Sequence, residues 1–151
     1  MSRFDSATSA AVAFGAGILL VGALAGCTQI DDLLSRQHRE EFPTRAEAAE
    51  GWVGVDLPSW IPADATALRN LATFDETVAV IRVVSDEPLA GDCAPGERRG
   101  IPSLAEEWTD LGWDENGFPD EVERCGDYEV VPTDDGWLGW FNATEPGQTP
   151  G

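Results

Sequence analysis

Apolar and polar positions alternate most plainly between Thr66 and Val84. Thr66 to Phe74 and Thr77 to Val84 make two runs, the second rich in β-branched residues (TVAVIRVV), and Asp75-Glu76 between them predicts a hairpin. In the second run Ala79, Ile81 and Val83 fall on one side and Val80, Arg82 and Val84 on the other, so the first set is the better core candidate. Val122 to Cys125 and Tyr128 to Val131 also have strand character. Asp134-Asp135-Gly136 then turns the chain into Trp137 to Asn142, through a loop expected to be longer than the tightest hairpin turns. The period changes at Ser103. Ser103-Leu104-Ala105-Glu106 has capping-box spacing, and Leu104, Trp108 and Leu111 recur at helical intervals before Gly112, which predicts the clearest helix in the chain, its apolar stripe against the sheet. Residues 85–100, with Pro88, Gly91, Pro95, Gly96 and Gly100, predict a loop.

The longest apolar run is elsewhere, from Ala10 to Ala25, behind Arg3 and ahead of Leu24-Ala25-Gly26-Cys27. A cation, an apolar stretch and small residues form the layout of an export signal. The segment resembles bacterial lipoprotein signal peptides, whose lipobox carries Leu, a small residue, Gly or Ala, and then Cys; Leu24, Ala25, Gly26 and Cys27 match all four positions. The resemblance implies a diacylglyceryl thioether on Cys27, cleavage before that residue and acylation of the new amino group. Two acyl chains hold a protein stably where one binds only marginally. The alternative, an uncleaved helix just long enough to span a bilayer, gives the same topology, with the acidic remainder outside. The rest of the chain is similar in style to small lipoproteins of high-GC Gram-positive bacteria, with arginine but no lysine, abundant Ala, Gly and Asp, and Cys125-Gly126-x-Tyr128. That likeness implies no site residues.

These signals divide the chain into a signal peptide (1–26), a lipidated N-terminus and polar tether (27–56), an acidic globular domain (57–143) and a disordered tail (144–151). Within the tether, Thr44-x-x-Glu47 has capping-box spacing before an alanine-rich run, so a marginal helix is expected there and little other order. Pro58, Trp60 and Pro62 open the domain as an extended segment. The fold class expected is α+β, a small antiparallel sheet of about four or five strands with one packed helix.

With Cys27 given to lipid, Cys93 and Cys125 remain, and an even remainder in an exported chain predicts a disulfide between them. Closing a loop of roughly 30 residues is worth about 3 to 4 kcal/mol in the chain-entropy picture. Two buried free thiols are the alternative. A redox motif of the Cys-x-x-Cys kind is absent from the sequence.

Charge narrows the function classes. The net charge is −19, and since the leader holds one Arg and one Asp, all of that excess belongs to the rest of the chain. Such a surface repels nucleic-acid phosphate and has no basic stripe, so no nucleic-acid partner is expected. The chain has no lysine, which removes Schiff-base and Ser-Lys chemistry, and a single histidine, His38, read as an exposed residue of the tether. His and Cys ligands are too few to close a zinc site, and nothing asks for a cofactor.

Acidic pairs such as Glu106-Glu107, Asp120-Glu121 and Asp134-Asp135 could serve glycoside hydrolysis, but they are spread evenly and a solvated acidic surface is the favoured explanation; no catalytic residue is nominated. Asp110, Asp114 and Asn116 near Gly117 are the densest oxygen donors for calcium, without EF-hand spacing. Six tryptophans are many for this length, and they either fill a small core or line a binding surface, for which Trp113, Trp137 and Trp140 are the candidates. The reading is a lipoprotein anchored to the membrane through lipid on Cys27, on the extracytoplasmic face. Its domain is a non-enzymatic binding module for a cell-envelope glycan, peptide or partner protein. A carboxylate-dependent cell-wall glycan hydrolase and a calcium-stabilised adhesion module are the alternatives.

Overall fold

The computed structural model describes residues 36–113 and 117–143. They form one antiparallel sheet of seven strands: β1 (Gln37–Thr44), β2 (Thr66–Thr73), β3 (Val78–Val84), β4 (Cys93–Glu97), β5 (Glu121–Cys125), β6 (Tyr128–Thr133) and β7 (Gly136–Asn142), in the spatial order β1-β2-β3-β7-β6-β5-β4. One short α-helix, α1 (Arg45–Gly51), follows β1. The α+β class holds, with more strands than the sequence suggested. Among the described residues no helix is long and apolar enough to cross a membrane. The leader, Cys27 and the tail from Thr144 lie outside the described residues.

The five inner strands are those with apolar periodicity, and both of their faces are covered. On the first face Leu68, Ala72, Ala79, Ile81, Val83, Val130 and Phe141 pack beneath Ala48 of α1 and Val55, Trp60, Ile61 and Ala65. On the second, Val80, Val122, Val131, Leu138 and Trp140 pack beneath Leu104, Trp108, Leu111 and Phe118. Burying one such aliphatic side chain is worth about 1.5 to 3 kcal/mol, so a two-faced core is how a small sheet reaches net stability. Trp60 lies so close over Gly139 that a Cβ there would stand 2.5 Å from the indole Cζ2.

Local chemistry sets the turns. Thr77 donates to Asp75 Oδ1 through its backbone N–H at 3.3 Å and its hydroxyl at 2.8 Å, which closes the β2–β3 hairpin at the residues the sequence marked. Gly126 has φ +62° in the two-residue β5–β6 turn, a backbone shape that glycine adopts freely. The β6–β7 turn is tighter than expected: Thr133 pairs with Gly136 across Asp134-Asp135 alone. Thr44 caps α1 by accepting the Glu47 N–H at 3.3 Å, as the capping-box spacing predicted.

Three expectations are corrected. Residues 37–51, assigned to a tether, belong to the sheet and its covering layer. β1 runs in register with β2 from Gln37 opposite Thr73 to Thr44 opposite Thr66, and His38 packs against Phe74 with centroids 4.5 Å apart and planes tilted at 45° instead of standing free. The 85–100 loop contains β4, paired with β5. The helix expected after Ser103 is only a 3-10 turn, Glu107–Thr109. Its cap residues are spent on tertiary partners, Ser103 Oγ accepting from Asn142 Nδ2 at 3.3 Å and the Glu106 carboxylate pairing with Arg39. The stripe of Leu104, Trp108 and Leu111 meets the sheet all the same.

Cys93 and Cys125 are opposite one another on β4 and β5 and are joined by a disulfide. A buried carboxylate makes a second tie. Glu129 on β6 is 0% exposed, accepts the backbone N–H of Arg99 and of Gly100, the latter at 3.1 Å, and lies 3.7 Å from the Arg99 guanidinium. It thereby fixes the start of the segment that crosses the second face.

Candidate functional site

The three tryptophans singled out from the sequence have different fates. Trp137 and Trp140 stand three apart on β7, so they point to opposite faces of the sheet. Alternation alone would leave one of them outward, but both faces are covered. Trp140 is 1% exposed in the second-face core, and Trp137 is half-buried against the first, its Nε1 donating to Glu87 O at 3.1 Å. Neither forms a binding surface. Trp113 does present its ring, at 38% exposure.

Trp113 is held from below by a stack of rings. Its ring meets Phe118 edge-on, with centroids 5.2 Å apart and planes at 88°, and Phe118 meets Trp140 in the same manner at 5.7 Å and 79°. Such edge-to-face pairs place the positive rim of one ring against the negative face of the next. Trp140 thus serves the exposed indole as a foundation. Gly112, with φ +69°, donates its N–H to Asp110 Oδ1 at 2.7 Å, and this reversal aims the chain at position 113.

Beside Trp113 lies an open cleft of about 370 Å³, lined by Arg82, Asp110, Leu111, Trp113, Thr133 and Asp134 with Pro132. Arg82, the one charge in an otherwise apolar β3, donates through Nη1 to Trp108 O at 2.9 Å and through Nη2 to Asp135 Oδ1 at 3.1 Å. It ties β3 to the Trp108 backbone on one side and to the β6–β7 turn on the other. Arg82 above all holds the Asp135 carboxyl below the usual carboxylate range; its hydrogen bond outweighs burial, which pushes the other way, and the Thr133 hydroxyl at 3.0 Å adds to the lowering.

The cleft therefore combines an aromatic platform with carboxylates, a hydroxyl and a guanidinium at its margin. An apolar face with a few convergent polar groups suits hydroxyl-bearing ligands such as sugars. Glycoside hydrolysis needs in addition a carboxylic acid kept protonated by a raised pKa. Among the described residues the Asp75 and Asp135 carboxyls are held below the ordinary range, Asp75 chiefly by the Thr73 hydroxyl and then by Thr77. Among the described residues no group of three or more His, Cys, Asp or Glu side chains gathers to hold a metal ion; of the calcium candidates, Asp114 and Asn116 lie outside those residues.

Sequence reasoning passed over Arg82, Thr133 and Phe118. The signal available for Arg82 was its isolation within TVAVIRVV, since a lone charge on a covered strand needs partners. No family model, curated protein or solved structure matches this chain.

Proposed function

We propose that this chain is a lipoprotein held by acyl chains on Cys27 at the extracytoplasmic face of the cell membrane, and that its acidic domain binds a cell-envelope glycan without transforming it. The anchor rests on Leu24-Ala25-Gly26-Cys27, and the Cys93–Cys125 disulfide suits an oxidising compartment. The observation that carries the binding reading is the exposed indole of Trp113, propped on Phe118 at the margin of a cleft with Asp110, Asp134, Thr133 and Arg82. A sugar ring stacked there offers C–H groups to the indole and hydroxyls to the polar margin.

The test is an array of envelope glycan fragments probed with the detergent-solubilised full chain and with Trp113→Ala. Retention on one glycan class, weakened about tenfold by the substitution, supports the reading. Release of cleaved product from a retained glycan would replace it with the hydrolase. Mass spectrometry of the native protein checks the anchor. Diacylglyceryl on Cys27 is the expected result, and an unmodified thiol there would remove it.

A further inference from the structure

Arg82 is the one basic residue lining the Trp113 cleft among the described residues, and at 23% exposure its side chain stays within reach of a ligand. A guanidinium is the usual means of gripping the carboxylate or phosphate of an anionic sugar, through two parallel N–H donors. Here that grip is contested from within the chain. Nη2 donates to Asp135 Oδ1 at 3.1 Å and Nη1 to Trp108 O at 2.9 Å. Either planar fork of a guanidinium includes Nη2, so an acidic group approaching in the paired geometry meets the Asp135 carboxylate at the same nitrogen.

Asp135 is seated firmly enough to hold that position. Its Oδ1 also accepts the Thr133 hydroxyl at 3.0 Å, and its backbone carbonyl accepts the Ser85 N–H at 3.1 Å. The turn lies tight on β3, since a Cβ on Gly136 would stand 2.2 Å from Val83 O. With Arg82 and Asp135 cancelling one another, the charges left on the lining are those of Asp110 and Asp134, both acidic. They sit in a chain of net charge −19, whose field salt screens over about 10 Å at ordinary ionic strength. An uncharged sugar escapes this repulsion and still finds the indole face, the Thr133 hydroxyl and carboxylate acceptors for its own hydroxyls.

Resting on the glycan-binding function proposed for this cleft, we infer that it selects uncharged sugars over uronic acids and sugar phosphates, and that Asp135 sets this preference by occupying Arg82. Asp135 is outside the cleft lining and acts through the guanidinium it holds, so it is a specificity-determining residue that need not touch the ligand.

The experiment probes the full chain in non-ionic detergent with neutral hexasaccharides of glucose, mannose and N-acetylglucosamine, each beside the same backbone oxidised to the uronate and beside the methyl ester of that uronate. The ester keeps the added bulk and removes the charge. At least one neutral backbone and its ester are expected to be retained, with loss in Trp113→Ala, and the matching uronate to bind about tenfold more weakly than the ester at about 50 mM salt. Raising the salt to about 500 mM should narrow that gap severalfold. In Asp135→Asn the ratio of uronate to ester affinity is expected to rise about tenfold, a ratio that partial unfolding does not move because both ligands are read on one preparation. The inference is overturned if the native chain holds the uronate as tightly as the ester, if the ester is lost together with the uronate, if the gap ignores salt, or if Asp135→Asn leaves the ratio unchanged; each of these leaves glycan binding itself standing. Retention of none of the saccharides, charged or neutral, removes the glycan-binding function and this inference with it.

Discussion

The indole of Trp113 rests edge-on against the ring of Phe118, 5.2 Å away, so the most exposed tryptophan of the described chain is positioned by a half-buried residue that does not line the Trp113 cleft itself. Phe118→Ala is expected to leave Trp113 present but unsupported. Glycan retention should fall by about tenfold, as it does for Trp113→Ala, with a loss of about 1 to 3 kcal/mol in unfolding free energy. Glycan titration alongside urea denaturation separates the two effects. Unchanged retention would mean the indole needs no prop.

Glu129 receives two backbone N–H groups of the crossing segment and faces Arg99, all within the covered second face. Glu129→Leu removes the acceptor while the donors stay buried, and breaking a buried pair from one side costs about 3 to 5 kcal/mol. The expected result in urea is a large drop in midpoint with an unchanged slope, since the same surface is exposed on unfolding.

β4 is an edge strand with β5 as its one neighbour in the sheet, and the disulfide joins the two. Reduction, or the double substitution Cys93→Ser with Cys125→Ser, is expected to lower stability by about 3 to 4 kcal/mol. Hydrogen exchange should locate the effect: amides of β4 lose protection first, those of β2 and β3 last. A uniform loss across the sheet would argue against this ordering.

The pH dependence has a definite sign. Asp135 is held below the unfolded carboxylate value of about 3.9, so it contributes stability above that pH and loses it as pH falls through the lower folded value. Because the group is largely exposed, the contribution is small. The net charge of −19 acts oppositely, since protonating the surface relieves repulsion. Comparison with Asp135→Asn isolates the first effect. The stability gap between the two proteins should be constant from about pH 7 to 5 and close at lower pH, read from urea midpoints. A gap that widens on acidification would contradict the Arg82 assignment.

The inner five strands were legible because each carries apolar residues on a fixed side, as in Ala79, Ile81 and Val83. The two strands missed are the two edges. β1 (QHREEFPT) and β4 (CAPGE) have little to bury, and their membership of the sheet is a matter of backbone hydrogen bonds that side-chain pattern does not encode. The capping boxes at Thr44 and Ser103 look alike in sequence. One caps a helix; the other loses its members to Asn142 and Arg39, distant partners that local spacing cannot reveal. Trp113 was legible as a surface residue from its turn-rich surroundings. Trp140 was not legible as core, because nothing local tells that Leu104, Trp108, Leu111 and Phe118 cover the second face.

Both outer strands contain a proline, Pro43 in β1 and Pro95 in β4. Each interrupts the row of free amide donors with which a further strand would have to register. Copies of the domain brought close together by any common support therefore meet frayed selvedges, and crowding does not zip them into a continuous fabric.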